Sequence, residues 1–260
     1  MSAENFGHFQ AFGFAVLRGF FDANALADEV DQALLQGLVR APEVWHGEGA
    51  RFQYVPMMTA RTPLSLALLD RAETLATSLL GGPVLPTRAK GVRYRGDTPW
   101  HTDSVLSLAS VGFAAYLEPV RAKTGALRVI PGSHRAEFGD ALRLLDLAGM
   151  RAADAPAHII ETDPGDVIVF DEHLFHSSCG GSVRRQWRLD FIADPADLRA
   201  EELAQSYFAG IFPRDWDGGY DAERYPSYGP DWRGSGRSSV ERLGALGVYE
   251  LAAKQEARSR

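Results

Sequence analysis

Trp100-His101-Thr102-Asp103 is the stretch of sequence around which the chain is organised. His101 and Asp103 are two residues apart, so both side chains leave the same face of an extended strand. An imidazole beside a carboxylate supplies two of the ligands of a 2-His-1-carboxylate metal site, which keeps coordination positions open for other molecules. A His-x-Asp triplet also arises by chance, so this prediction requires a second histidine from elsewhere in the chain.

Short predicted strands, separated by glycine and proline, lie on both sides of this triplet. Preceded by two helices, such a series is typical of a β-sandwich or barrel with helices packed on one face. The predicted strands are 84–85, 89–94, 110–117, 127–130, 157–161, 166–170 and 187–192.

The sequence before residue 84 predicts mainly helices. Ala15-Val16-Leu17 is predicted as a strand, and Asp22 is predicted to cap the helix that follows it. A second helix is predicted to begin with Pro63 as its first residue and to continue to Gly81. Residues 40–60 show no periodicity and are predicted to be irregular.

After Pro195 the pattern changes, and residues 207–240 are rich in glycine, tyrosine, tryptophan, proline and arginine. Many large rings need a surface to pack against, so this segment is predicted to be an ordered loop. Within it, residues 207–232 are a candidate lid over a bound substrate, and a helix is predicted from Val240 to about Ala257.

No break in composition divides the chain, which predicts one domain over residues 1–260. In this prediction residues 1–83 give helical support, residues 84–195 form the β core, and residues 196–260 add the aromatic loop and the last helix.

Composition excludes several classes of protein. The 260 residues are 45% hydrophobic and 23% charged, which are globular values. A net charge of −7 argues against a nucleic-acid-binding surface, which needs a basic stripe. The single cysteine, Cys179, allows no disulfide within the chain. The sequence contains no run of 18 apolar residues, so no membrane-spanning helix is predicted. We therefore expect a cytoplasmic protein, monomeric or homodimeric, that acts on a small molecule.

The strongest context for a second histidine is the segment from Gly165 to Ser177, where a turn leads into an apolar strand followed by His173 and His176. These two histidines are three residues apart, so on a strand they face opposite sides and at most one reaches the site. The spacing alone leaves both open.

Three motifs in order resemble the phytanoyl-CoA dioxygenase family, and residues 12–17 are similar to that family's N-terminal segment. The motifs are Trp100-His101-Thr102-Asp103-Ser104, the segment Thr124 to His134, and the segment Gly165 to Ser177. The resemblance covers roughly residues 6–195. It implies a mainly β fold with flanking helices around a double-stranded β-helix, the jelly-roll or cupin-like core. It also implies an oxygenase that depends on Fe(II), 2-oxoglutarate and O2.

The resemblance further implies that His101, Asp103 and His176 bind the iron. His176 is preferred because the family's second histidine occupies this position, and His173 then faces outward or supports the site.

2-Oxoglutarate needs a cation for the carboxylate that does not bind the metal, and an arginine suits it best. In the family this arginine lies in the strand after the second histidine. Alternation in residues 184–191 puts Arg184 and Arg188 on the face opposite Trp187, and the choice between the two arginines stays open. Arg93 and Tyr94, just before the triplet, are candidate substrate-binding residues.

The expected reaction is hydroxylation of an unactivated C–H bond in a small molecule, such as an intermediate of specialised metabolism, with release of succinate and CO2. Desaturation or ring closure can follow the same hydrogen abstraction. Two other classes stay open: a cupin-type metal-dependent enzyme without 2-oxoglutarate, and a non-catalytic β-sandwich that binds a small molecule.

Overall fold

A computed structural model describes residues 1–39, 51–145, 149–151, 153–211 and 219–258. The helices in these ranges are α1 Ala3–Phe12, α2 Ala23–Gly37, α3 Pro63–Leu80, α4 Ala136–Arg143, α5 Leu198–Ile211, α6 Pro230–Arg233, α7 Ser239–Ala245 and α8 Val248–Arg258. The strands are β1 Phe14–Leu17, β2 Arg51–Pro56, β3 Val84–Arg95, β4 Thr98–His101, β5 Ser110–Tyr116, β6 Leu127–Val129, β7 His158–Ile160, β8 Val167–Asp171, β9 His176–Ser178 and β10 Arg184–Ala193.

The strands form two antiparallel sheets that face each other. The larger sheet has the order β1-β8-β5-β10-β3-β2, and the smaller one has the order β4-β9-β6-β7. A buried apolar cluster that includes Ala114 and Phe170 of the larger sheet and Leu127 and Val129 of the smaller sheet joins the two. The predicted jelly-roll core with flanking helices is therefore confirmed.

The outer face of the larger sheet is covered by helices. Trp187, Leu189 and Phe191 of β10 are fully buried there, in the same cluster as apolar residues of α2, α3, α5, α7 and α8. The opposite face of β10 is also buried, and it points into the interior of the jelly roll. That face carries Arg184, Gln186, Arg188 and Asp190. This alternation is the one that the sequence predicted for the strand.

The first helices follow the predicted capping signals. Asp22 accepts hydrogen bonds from the backbone N–H groups of Asn24 and Ala25, at 3.0 and 3.1 Å, and so caps α2. Pro63 is the first residue of α3, and Gly81 ends it in the left-handed conformation, with φ 77°.

The N-terminal part of the chain is more than helical support, because β1 and β2 form the two edges of the larger sheet. The prediction of irregular structure over residues 40–60 is wrong for residues 51–56, which are β2, and residues 40–50 lie outside the described ranges. Tyr54 and Val55 are both buried although they point to opposite faces, so no alternation marks this strand.

The two strands predicted at 84–85 and 89–94 are one strand, β3. The register of its pairing with β10 shifts between Asp190 and Phe191, which leaves an irregularity next to Pro86. A bulge of this kind accommodates a proline inside a sheet, which is why the strand pattern of the sequence is interrupted there.

The C-terminal prediction needs two corrections. The segment from residue 207 is not a loop throughout, since α5 continues to Ile211 and residues 212–218 lie outside the described ranges. The single helix predicted from 240 to 257 is two helices, because Gly247 between them adopts φ 72°.

From Tyr220 onward, the described part of the candidate lid packs into the helical side of the core, whereas Tyr207 and Ile211 at its start line a cavity. The large rings Tyr220, Tyr225, Tyr228 and Trp232 are buried in that side of the core. No helix in the described ranges is long and apolar enough to cross a bilayer.

Candidate metal centre

Pairing of two short strands brings the predicted ligands together. In the antiparallel pair β4–β9, His101 lies directly opposite His176, and the centres of the two imidazole rings are 4.2 Å apart. Asp103 follows β4 by two residues, and its backbone N–H donates to the carbonyl of Glu172 at 2.9 Å. This hydrogen bond holds Asp103 against the segment that leads to His176.

Each imidazole is oriented by a backbone carbonyl two residues earlier in the chain. His101 Nδ1 lies 2.8 Å from the carbonyl oxygen of Pro99, and His176 Nδ1 lies 2.9 Å from that of Leu174. A carbonyl only accepts, so each Nδ1 carries the hydrogen and each neutral ring keeps its lone pair on Nε2. Both Nε2 atoms point at Asp103.

The donor atoms fit one divalent metal ion. His101 Nε2 is 3.6 Å from Asp103 Oδ1, and His176 Nε2 is 3.5 Å from Asp103 Oδ2. One ligand atom from each of the three residues lies within 4.8 Å of the other two. Bonds of about 2 Å to one ion place adjacent donors about 3 Å apart, so small side-chain adjustments complete the site.

The charge states suit metal binding. Burial, followed by the neighbouring His101, lowers the pKa of His176 to about 4, so its imidazole is neutral at physiological pH. Burial alone would raise the pKa of Asp103, but Arg188 and the two imidazoles outweigh it and hold that pKa well below its usual range. One carboxylate beside imidazole nitrogens is the donor set that iron(II) takes in facial triads.

His173, the alternative second histidine, is turned away from this group. Its Nδ1 lies 2.8 Å from Asp171 Oδ1, and its Nε2 lies 2.7 Å from the carbonyl oxygen of Leu106. Both ring nitrogens therefore have partners, and the ring borders a separate cavity with Ser133 and His134.

Arg188 contacts three carboxylates. Its Nε donates to Asp190 Oδ1 at 2.5 Å, and its Nη2 donates to Asp103 Oδ2 at 2.8 Å and to Glu172 Oε1 at 3.4 Å. These acids, acting against burial, raise the pKa of Arg188 well above its usual value. The guanidinium therefore has its counter-charges already within the protein.

Arg184 has the opposite environment. It is 3% exposed, and its hydrogen-bond acceptors in the described part of the chain are neutral oxygens, among them Ser178 Oγ at 2.7 Å and the carbonyls of Gly96 and Ser182 at 3.1 and 3.4 Å. Its Nε is buried and has no hydrogen-bond partner among the described residues. A buried charge without a counter-charge is costly, so an anion placed in this cavity would stabilise the guanidinium.

Two cavities meet at the metal-binding residues. The larger has a volume of about 440 Å³ and the smaller about 50 Å³, and His101, Asp103, Tyr94, Thr98 and Arg188 line both. Arg184 lines the smaller cavity together with His176. The larger cavity extends away from the metal towards Lys90 on β3 and Tyr207 on α5.

The two candidate substrate residues lie on different faces of β3. Tyr94 lines both cavities, whereas Arg93 lines neither of them. Arg93 pairs across the sheet with Arg185, whose side chain binds Glu118 and Asp31 on the opposite side of the strand from the jelly-roll interior. The geometry therefore supports a substrate contact for Tyr94 and gives none for Arg93.

Three buried residues of the larger cavity were not singled out from the sequence: Lys90, Glu172 and Tyr207. Lys90 shares the alternation of β3 with Arg88 and Tyr94, and this signal was available. The Tyr207 hydroxyl donates to Glu172 Oε2 at 2.8 Å. Burial, with Asp190 and Asp103 nearby, raises the pKa of Glu172 to about 8.

Comparison with known proteins agrees with this geometry. A family model described as phytanoyl-CoA dioxygenase matches residues 9–185, well over half of the chain. A search of curated proteins finds no match.

Similar solved structures share the fold. AviO1 from Streptomyces viridochromogenes Tue57 is 22% identical with a TM-score of 0.57, over 75% of this chain and 95% of that one. HygX from Streptomyces hygroscopicus, solved with nickel and 2-oxoglutarate bound, is 19% identical with a TM-score of 0.56, over 74% and 87%. SnoN, a non-haem alpha-ketoglutarate-dependent epimerase from nogalamycin biosynthesis, is 20% identical with a TM-score of 0.56, over 74% and 83%.

Proposed function

Because the chain belongs to the phytanoyl-CoA dioxygenase family, we propose that it is a non-haem Fe(II)- and 2-oxoglutarate-dependent oxygenase that hydroxylates a small molecule. The observation that carries the proposal is the arrangement of His101, Asp103 and His176, with two Nε2 lone pairs and one carboxylate directed at a common point. Iron(II) and 2-oxoglutarate, when bound, would activate O2 to attack a C–H bond and would yield succinate and CO2.

Arg184 is proposed to hold the distal carboxylate of 2-oxoglutarate. It lies in the smaller cavity beside the metal ligands and lacks an acidic partner in the described chain, whereas Arg188 already binds three acids. Ser178 Oγ, which accepts from Arg184, also lies 3.2 Å from Thr98 Oγ1, so hydroxyl groups surround the same spot. An arginine in such a place provides a two-point, charge-assisted contact.

Arg188 and Glu172 are proposed to position the carboxylate ligand. Arg188 binds Asp103 Oδ2, which leaves Oδ1 facing His101. The Glu172 carbonyl accepts from the backbone of both Asp103 and Ser104, at 2.9 and 3.1 Å. Partners of this kind fix the orientation of a metal ligand and tune its charge.

The test is anaerobic addition of Fe(II) and then 2-oxoglutarate, followed by the weak visible charge-transfer band of the chelate. We expect the band in the wild type and its loss in His176→Ala. Arg184→Gln should form the band only at roughly 10- to 100-fold higher 2-oxoglutarate concentration, because a charge-assisted contact is lost.

The matched control is Arg185→Gln, which removes a neighbouring guanidinium that faces Glu118 and Asp31, away from the cavities. Its 2-oxoglutarate titration should resemble the wild type. Iron binding without a band would favour a cupin-type enzyme that does not use 2-oxoglutarate, and no iron binding would favour a non-catalytic binding protein. Once a substrate is found that causes succinate release, its product is compared with it by mass. A gain of one oxygen atom supports hydroxylation, whereas an unchanged mass or a loss of two hydrogen atoms contradicts it.

A further inference from the structure

One wall of the larger cavity carries paired charges from two strands. In the β3–β10 pair, Lys90 lies opposite Arg188, and Arg88 lies opposite Asp190. All four side chains line the cavity. Cross-strand neighbours on one face of a sheet are close enough to interact directly, so these groups form one charge cluster.

Lys90 is the residue of this cluster without a hydrogen-bond acceptor in the described part of the chain. It is 5% exposed, and its nearest acidic oxygen, Asp190 Oδ2, is 3.8 Å from Nζ, beyond hydrogen-bond distance. Its other neighbours are the faces of Phe52 and Tyr54, whose ring centres lie 5.9 and 5.8 Å from Nζ. These rings support the charge but accept no hydrogen bond of ordinary strength.

The single negative charge of Asp190 cannot neutralise all the cations around it. Its Oδ1 is taken by Arg188 at 2.5 Å, and its Oδ2 lies 3.6 Å from Arg88 Nε and 3.8 Å from Lys90 Nζ. Arg88 Nε is buried without a hydrogen-bond partner among the described residues. Even with Glu172 counted as ionised and Asp103 reserved for the metal, three cations face two acids, which leaves one positive charge.

We infer that Lys90, assisted by Arg88, anchors an anionic oxygen group of the substrate, a carboxylate or a phosphate. An ammonium with its donors unused and a cavity at its side is complementary to such a group, and the excess charge is satisfied when it binds. The inference rests on the proposed function, because it assigns the larger cavity to the substrate.

The anchor is separate from the co-substrate site. Of the two cavities at the metal site, Arg184 lines the smaller and not the larger, whereas Arg88 and Lys90 line the larger and not the smaller. Lys90 is connected to the metal ligand Asp103 through Asp190 and Arg188, so an anion at Lys90 lies about two side chains from the metal. The body of the substrate then spans that distance, beside the rings of Phe52 and Tyr94, which lie 5.1 Å apart.

The ionisation of Lys90 agrees with this geometry. Burial, followed by repulsion from Arg88, lowers the pKa of Lys90 to about 7. A bound anion favours the charged form and offsets part of that penalty.

The test uses matched probes on protein loaded with nickel(II) and 2-oxoglutarate, so that the smaller cavity is filled. The probes are a set of ring-containing carboxylic acids, their primary amides of the same shape, and the corresponding phosphate monoesters. Binding is measured by calorimetry and by the shift in thermal unfolding temperature. We expect the acids or the phosphates to bind roughly 10- to 100-fold more tightly than the amides, as a charge-assisted contact gives.

Lys90→Met should abolish that preference, and Lys90→Arg should retain part of it. Lys254→Met makes the same change at an exposed lysine of α8 and should leave the preference intact. If Lys90 were only a structural partner of Asp190, Lys90→Met would alter stability while anions kept their advantage, and the inference would be overturned. It is also overturned if amides bind as well as anions in the wild type.

The same probes distinguish the two anionic groups that the substrate could carry. Tighter binding of the carboxylic acids alone identifies a carboxylate, and tighter binding of the phosphate esters alone identifies a phosphate. Failure here is separable from failure of the proposed function. If the iron and 2-oxoglutarate band forms but anions show no preference, the anchor is wrong and the oxygenase stands. If anions bind through Lys90 but no band forms, the anion-binding site stands and the proposed oxygenase function is wrong.

Discussion

At the scale of single residues, glycine makes room for the proposed co-substrate anchor. A Cβ on Gly181 would lie 2.1 Å from Arg184 Nη1, and a Cβ on Gly125 would lie 2.9 Å from its Cζ. Gly181 does not adopt a left-handed φ, and the closest contacts of an alanine Cβ there are with the arginine, followed by the Cα of Gly125 at 3.3 Å.

We therefore predict that Gly181→Ala displaces the Arg184 guanidinium and weakens 2-oxoglutarate binding about tenfold, the loss of one charge-assisted hydrogen bond. Iron(II) affinity should be unchanged, because none of the metal-binding residues touches Gly181. Titration of the chelate band measures both quantities. Gly82→Ala, where a Cβ meets nothing within 4 Å, is the control and should match the wild type. Normal 2-oxoglutarate binding in Gly181→Ala would argue against Arg184 as the anchor.

The metal-binding residues could be predicted because their spacing and family motifs are local. His101 and Asp103 are set by a triplet, and His176 by the strand that precedes it. The choice between Arg184 and Arg188 could not, because both lie on one face of one strand. What distinguishes them is the set of acids around each guanidinium, and Asp103 lies far from Arg188 in sequence. Lys90 was missed for a related reason, because its lack of a hydrogen-bond acceptor can be recognised only once the strands are paired.

At the scale of elements, the strands that build the site were the hardest to predict. β4 and β9 have four and three residues, too few to show an alternating pattern. Their pairing nevertheless decides the geometry, because it sets His101 opposite His176. Longer strands such as β5 and β10 were predicted within a few residues, since their buried faces repeat over several residues.

Among the helices that were missed, α1 and α5 left signals in the sequence. α5 buries Ala204, Tyr207 and Phe208, which have the three- and four-residue spacing of one helical face. α1 begins with a capping bond from Asn5 N–H to Ser2 Oγ at 3.2 Å and ends at Gly13. No helix was predicted there, and the first predicted element was the strand Ala15-Val16-Leu17.

The junction between α1 and β1 gives a prediction with opposite signs at two glycines. Gly13 has φ 83°, and a Cβ there would lie 2.5 Å from His134 Nδ1, so Gly13→Ala should lower the free energy of unfolding by about 1 kcal/mol or more. Gly7 lies within α1 with nothing within 4 Å of a Cβ. Gly7→Ala should raise that free energy by about 0.5–1 kcal/mol.

Urea denaturation of the two variants beside the wild type measures both changes. Equal effects of the two substitutions would show that α1 does not end at Gly13 as described. Stabilisation by Gly13→Ala would contradict the left-handed conformation itself.

At the scale of the whole molecule, the chain continues beyond the segment that the family model matches. That segment ends at residue 185, whereas α5 to α8 follow between residues 198 and 258. Phe208, Trp232 and Leu243 from this part are buried in the same cluster as Trp187 of β10. The Tyr228 hydroxyl donates to the carbonyl of Thr87 on β3, and Tyr207 reaches Glu172 beside the metal site.

We propose that residues 1–260 are one cooperative domain, so that the C-terminal helices fold only with the sheet they cover. Urea unfolding followed by far-UV circular dichroism, which reports the helices, and by tryptophan fluorescence should give coincident midpoints. A chain ending at residue 196 should lack a cooperative transition, because it loses Phe208, Trp232 and Leu243, which are fully or almost fully buried in the same apolar cluster as Trp187. Two separate transitions, or a shortened chain that unfolds cooperatively and still binds Fe(II), would instead make residues 196–260 an independent addition to the oxygenase core.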